Sequence, residues 1–154
     1  MGFHERKLYK MEKQEEYLNV IDFSEYPGPR YNQQGPDSGE KFYVEKLNPY
    51  FFKCFKEGKI LVVNLDGTAG FASSFLDEAF GQLTYDFGES LLKNILNIQS
   101  TDEPEWIRMI MDETIPQWQK RRVDGKTPVA SMKYKVHGVD NRGDEIERES
   151  NVSI

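Results

Sequence analysis

The chain has 154 residues, 38% of them hydrophobic, with 10 Phe, 8 Tyr and 2 Trp and a formal net charge of −6. That length suits one domain plus a tail, and the acidic balance (pI about 5.0, mean hydropathy −0.70) disfavours binding to phosphate backbones or anionic membranes. The single cysteine, Cys54, excludes an internal disulfide and fits a reducing compartment. The start, MGFHERKLYK, has no apolar signal core, and nothing approaches the roughly 18 apolar residues of a membrane span. A cytoplasmic protein with no membrane role is expected. Met-Gly opens the chain, but Arg6 stands where a myristoylation signal wants Ser or Thr.

Residues 1–16 are charged and read as a frayed or disordered lead-in. Tyr17–Phe23 reads as the first strand. Ser24–Gly39 carries three prolines and three glycines and reads as a long loop; an ordered functional loop and a plain connector are both open. Asp37 and Ser38 are N-cap types for the helix that follows, whose apolar face is Phe42, Val44, Leu47, Tyr50, Phe51, Cys54 and Phe55. Pro49 must bend or restart it, and Gly58 is a natural stop. Cys54 reads as a buried structural thiol.

The centre of the chain is Lys59–Gln82. A continuous apolar run, Ile60–Leu65, is broken only by Asn64. Asp66, Gly67, Thr68, Ala69 and Gly70 follow as a turn, and then two adjacent serines, Ser73 and Ser74. Phe75, Leu76, Ala79, Phe80 and Leu83 recur at helical spacing. Strand, turn and serine-capped helix make a βα unit suited to a parallel or mixed sheet.

Tyr85–Gly88 reads as a turn, Glu89–Asn94 as a short helix and Leu96–Ser100 as a short strand. Asp102 and Pro104 open a helix with the stripe Trp106, Ile107, Ile110, Met111, Ile115 and Trp118, kinked or split by Pro116 and ended by Lys120–Arg122. Beyond Val123 a linker leads to Met132–Val139, the turn residues Asp140–Gly143, and a weakly alternating end. A polar β-hairpin and disorder are both open for 123–154.

Catalysis finds little support. The two histidines, His4 and His137, lie in peripheral segments, and with one cysteine they do not make a zinc site. Asp77 and Glu78 are neighbours on a helix, about 100° apart, and do not converge. The GTAG turn has no lysine of a phosphate loop. No enzyme, cofactor or metal is expected. Ser73 and Ser74 at a helix start read as a cap, or as a receptor for negative charge in which a phosphoserine would be repelled by Asp66, Asp77 and Glu78. Asp66 reads as a bonding partner of turn amides or a functional carboxylate, with Arg30 as a candidate partner for it or for a ligand.

The run ILVVNLDGTAGFASSFLDEAFGQL resembles the strand–loop–helix of STAS domains, the anti-sigma-factor antagonist fold, and in particular a STAS-like family of unknown function. The matching residues are Asp66, Gly67, Gly70, Ser73, Ser74, Phe75, Leu76, Asp77, Glu78, Phe80 and Gly81. Upstream, Phe23, Pro27, Gly28, Pro29, Arg30, Gly35, Ser38, Gly39, Glu40, Phe42, Leu47 and Pro49 also fit. The resemblance spans 17–122 and implies an α/β fold, a STAS-like mixed central sheet with helices packed on it, with residues 123–154 outside. It also implies a regulatory interaction domain that docks through Asp66–Gly81, including Phe75, Asp77 and Glu78, onto a histidine-kinase-like ATPase. Ser73 is then the matching phosphorylation position, with Ser74 beside it. This chain departs by having Ala72 where those regulators carry aspartate, and Phe75 where they carry glycine. Two other readings stand beside this one. One is a small-ligand or nucleotide-binding domain using the Pro27–Gly39 loop and the Gly67–Gly70 turn. The other is a component of a bacterial defence or immunity locus, its acidic surface steering it to a basic partner.

Overall fold

A computed structural model describes residues 13–154. The lead-in expected over 1–16 therefore lies mostly outside the described residues. Its last two, Glu15 and Glu16, belong instead to strand β1, Glu15–Asn19. The strand expected at Tyr17–Phe23 starts earlier and ends at Asn19, because Val20–Phe23 turns into a short helix, α1.

β1 pairs in parallel with β2, Ile60–Asn64, and β2 with β3, Leu96–Gln99, so that β2 is central. Leu61, Val62 and Val63 are fully buried. A central parallel strand covered on both faces accounts for the unbroken apolar run that marked it in the sequence. The antiparallel pairing lies outside this sheet. β5, Lys135–Val139, and β6, Glu145–Glu149, form the antiparallel C-terminal hairpin, and β4, Val129–Ala130, pairs in parallel with β7, Asn151–Val152.

Two long helical stretches each contain a widened π turn just before a proline. The first runs through α2, Gly39–Phe42, a π turn over Tyr43–Leu47, and α3, Asn48–Glu57. The second runs through α6, Glu105–Met109, a π turn over Ile110–Thr114, and α7, Ile115–Val123. Pro49 and Pro116 have no amide to donate, and each ring would press on a carbonyl one turn back. The wide turns absorb this, with the Asn48 amide bonded to the Tyr43 carbonyl and Ile115 to Ile110. The helices therefore continue through the points where a bend or a restart was expected, each with a local widening in place of a break.

Between these lies α4, Ser73–Phe87, followed by α5, Glu89–Ile95. The turn expected at Tyr85–Gly88 shrinks to Gly88, since Tyr85–Phe87 is still helical. Phe75, Leu76, Ala79, Phe80 and Leu83 of α4 are all fully buried. Phe75 stacks on Phe42 at 5.6 Å between ring centres, and Phe87 meets Phe51 at 4.6 Å. Cys54 is buried in the same core, and burial pushes its thiol up to about 11, as befits a structural cysteine.

The C-terminal segment belongs to this core. Ala130, Val136 and Val139 are buried in it. Asn48 of α3 donates to the His137 carbonyl at 2.9 Å and accepts from its amide at 3.0 Å. Arg122 of α7 donates to the carbonyls of Tyr85 and Val139, tying helix, hairpin and α4 together. The polar tail expected beyond residue 122 is a docked layer of the fold.

Candidate functional site

The carboxyl end of a parallel sheet is where α/β proteins place their sites, because the strand-to-helix loops gather there. Here that end gathers the Asp66–Gly70 turn, the start of α4 and the exit of β3.

Asp66 follows Leu65 just past β2 and faces Ser100–Asp102. Its carboxylate accepts the amides of Thr101 (2.9 Å) and Asp102 (2.9 Å), together with the Thr101 hydroxyl. The Asp102 and Thr101 donors hold the Asp66 carboxyl below its ordinary range. The Asp102 carboxylate in turn accepts the Gly67 amide at 3.3 Å. Asp66 thus bonds backbone amides, and these come from the β3 exit where its own turn was expected to supply them. Asp102 is likewise no N-cap; the Ser100 hydroxyl accepts the Glu103 amide instead. Gly67 and Gly70 take φ of 93° and 134°, which only glycine adopts without strain. Ala69 is exposed, and its amide donates to the Glu25 carbonyl, so the turn is fixed against the loop after α1.

Ser73 and Ser74 do not cap α4. Ala72 holds the N-cap position, and no side chain closes the first turn. Both serines are already inside the helix, which moves their hydroxyls away from the first-turn amides. Ser73 is exposed and Ser74 half-buried. Ser38, by contrast, caps α2 as expected by accepting the Lys41 amide at 3.0 Å.

Phe75 cannot belong to a docking surface, because it is fully buried among Phe23, Phe42 and Phe71. Glu78 is also buried, 1% exposed. The expectation that Asp77 and Glu78 do not converge is corrected. One nitrogen of Arg30, Nη1, donates to Asp77 Oδ2 at 2.8 Å and to Glu78 Oε1 at 3.1 Å. Arg30 therefore pairs with these two carboxylates, while Asp66 is taken up elsewhere. Neighbouring residues on a helix can converge on a third group long enough to lie between them.

The Pro27–Gly39 loop is closed by its own backbone. The Gly28 amide donates to the Asp37 carbonyl and the Gly39 amide to Pro29, both at 2.8 Å. A 3-10 turn, Asn32–Gln34, lies within it. Arg30, Ser73, Asp77, Glu113, Thr114 and Gln117 line a cleft of about 220 Å³, with Met109 beside them. Thus the structure brings Arg30, Ser73 and Asp77 to one cleft, places Asp66, Gly67 and Gly70 in the adjoining turn, and removes Phe75 and Glu78 from the surface.

Sequence reasoning missed a polar seam inside the fold. Glu78, Gln82 and Asp86 stand one turn apart on α4 and are all buried. Gln82 donates to Glu78 at 2.7 Å and accepts from Arg148 (2.9 Å) and Tyr134 (3.1 Å). Arg148 also forks onto Asp86 at 2.7 and 3.0 Å, and Tyr43 donates its hydroxyl to the same carboxylate. Burial pushes the Asp86 carboxyl up, and Arg148 opposes that push. The recurrence of Glu, Gln and Asp at four-residue spacing was the signal available in the sequence.

Among the described residues no cluster of His, Cys, Asp and Glu is arranged to hold a metal ion, and no helix is long and apolar enough to cross a membrane. His137 sits away from the cleft, stacked on Phe52 at 3.9 Å. His4 lies outside the described residues. Residues 38–106, from the residue before α2 to the start of α6, are similar to the sequence model of a family described as a STAS-like domain of unknown function. The match contains the Asp66–Gly70 turn and all of α4, and leaves out Arg30 and the C-terminal hairpin. No curated protein and no solved structure matches the chain.

Proposed function

We propose that this STAS-like chain is a non-enzymatic regulatory module that docks onto a protein partner through the carboxyl end of its sheet. The contact surface is the Asp66–Gly70 turn, in which Gly67 and Ala69 are exposed, with the start of α4 and the Arg30 cleft beside it. The observation that carries the reading is the state of Ser73. It is exposed at the first turn of a 15-residue helix and caps nothing, so its hydroxyl is open to modification. A phosphoryl group there would meet the positive end of the helix dipole. Of the three carboxylates that the sequence set against it, Asp66 faces backbone amides, and Asp77 and Glu78 are paired with Arg30. The resemblance to anti-sigma-factor antagonists suggests a histidine-kinase-like ATPase as the partner and as the source of the phosphoryl group.

The test is incubation of the full chain with such an ATPase and ATP, followed by mass spectrometry of the peptide carrying Ser73 and Ser74. Binding of the same ATPase to Ser73→Glu and to Ala69→Trp is measured alongside. The expected result is phosphate on Ser73 and weakened binding for both variants. Absence of phosphate, together with unchanged binding of both variants, would overturn the proposal. The small-ligand reading is less well supported. The Pro27–Gly39 loop turns its amides to its own carbonyls and to the side chains of Gln34, Glu40 and Ser131, and the cleft of about 220 Å³ is below the usual range of roughly 300–1,000 Å³ for ligand sites.

A further inference from the structure

We propose that Glu78 and Arg30 form a proton-operated latch, which fastens the Pro27–Gly39 loop to α4 when Glu78 is ionised and loosens it when Glu78 takes up a proton. The inference concerns the loop and is independent of any docking partner.

The geometry is that of a shared contact. Arg30 is part of the loop, and a single nitrogen of its guanidinium serves both Asp77 and Glu78. Asp77 keeps some contact with water and also accepts the Trp118 indole at 3.2 Å. Glu78 is buried, and its second oxygen accepts from Gln82. Desolvation pushes its carboxyl up to about 7, while the Arg30 contact pulls it down and Glu40 adds to the rise. Arg30 is thus held by one carboxylate that is solvated and one that changes charge near neutrality.

The charged and titratable groups around Glu78 come from every element packed against it. The loop supplies Arg30 and Tyr31, α2 supplies Glu40, α4 supplies Asp77, and the C-terminal segment supplies Tyr134 and Arg148, while Arg121 of α7 acts on Tyr31 and Glu113 of the second π turn lines the cleft beside Arg30 and Asp77. Both phenols are pushed upward by burial, Tyr134 to about 12, so neither titrates near neutrality. Arg148 reaches Gln82 and Asp86 and makes no direct contact with Glu78. Arg30 is the cation that Glu78 touches.

The sign of the effect separates a latch from ordinary acid stability. A raised carboxyl binds its proton more tightly in the folded chain than in the unfolded one. Its contribution to global stability is full below the unfolded value and is lost as pH rises through about 7. Anchoring of the loop runs the other way, since the ionised carboxylate is what grips Arg30. From high to low pH the whole fold should gain from this residue while the loop loses protection.

The reporters are the amides of Asn32, Gly39 and Glu40, which bond to Glu40 Oε1, the Pro29 carbonyl and the Arg30 carbonyl. Their hydrogen-exchange protection factors, corrected for intrinsic exchange, should be measured on the full chain from about pH 5.5 to 8.5. Loss of a bond to a charged group predicts a fall of roughly ten- to a hundredfold toward the acid end. Glu78→Gln should show the low protection at every pH, and His137→Gln should keep the wild-type dependence. Protection that is flat with pH in the wild type overturns the latch, as does a wild-type profile in Glu78→Gln or its loss in His137→Gln. Should Glu78→Gln fail to fold, a carbon-detected titration of the Glu78 carboxyl in the wild type decides the matter. A midpoint near 7 supports the latch, and a carboxylate ionised down to about pH 5 overturns it.

Discussion

Arg148 donates two hydrogen bonds to Asp86 in a place where Asp86 is 3% and Arg148 11% exposed at the side chain. Two charges removed from water gain little over an apolar pair, but breaking such a pair costs far more, since one charge is then left buried alone. Asp86→Ala should therefore lower stability by about 3–5 kcal/mol in urea unfolding, and Asp86→Ala with Arg148→Met should recover most of that loss. A double variant no better than the single one would show that the loss comes from something other than the stranded charge. At this scale the sequence was least readable. Arg30 lies 47 positions from Asp77, Asp66 lies 35 from Thr101, and Asp86 lies 62 from Arg148. Pairings at such distances leave no local period. Asp66 showed only that it ended an apolar run, and Phe75 showed a hydrophobic spacing that fits a core or a contact surface equally well.

At the scale of elements the sequence was far more readable, because burial imposes a period. The Ile60–Leu65 run, the Phe75 to Leu83 spacing and the Leu96 strand all appear where their patterns place them. The serine cap failed because residue type suggests a capping role, whereas backbone geometry decides which position holds it. Gly81 shows how closely α4 and α7 approach. A methyl group there would come within 2.2 Å of the Trp118 ring. Alanine is favoured over glycine inside a helix by about 1 kcal/mol, but forcing a rigid indole aside typically costs about 1–3 kcal/mol. Gly81→Ala should lower the melting temperature, and the loss should shrink when Trp118→Phe is present. An unchanged or raised melting temperature would mean that α7 can shift as a body.

For the molecule as a whole, the C-terminal segment is the part whose weight the sequence understated. Its polar composition reads as a tail because its strands are short and one face meets water. Yet it supplies Arg148 and Tyr134 to the seam, Ser131 to buried Glu40, and Ala130, Val136 and Val139 to the core. Removing residues 129–154 would leave Glu40, Gln82 and Asp86 without these partners and open the core beneath them. The shortened chain should show no cooperative urea transition. A transition at the wild-type midpoint would mean that the segment is a passenger.

The two π turns bear on how this fold tolerates changes of length. Each holds one residue more than an ordinary helical turn of the same span. Elsewhere in a helix, gaining or losing a residue rotates everything beyond it by about 100° and re-sorts which side chains face inward. Within Tyr43–Leu47 or Ile110–Thr114, a one-residue deletion would close the wide turn and leave both flanks facing as before. These two turns are therefore the points at which related chains can differ in length inside a buried helix, and the proline after each gives a reason for the extra residue to be kept.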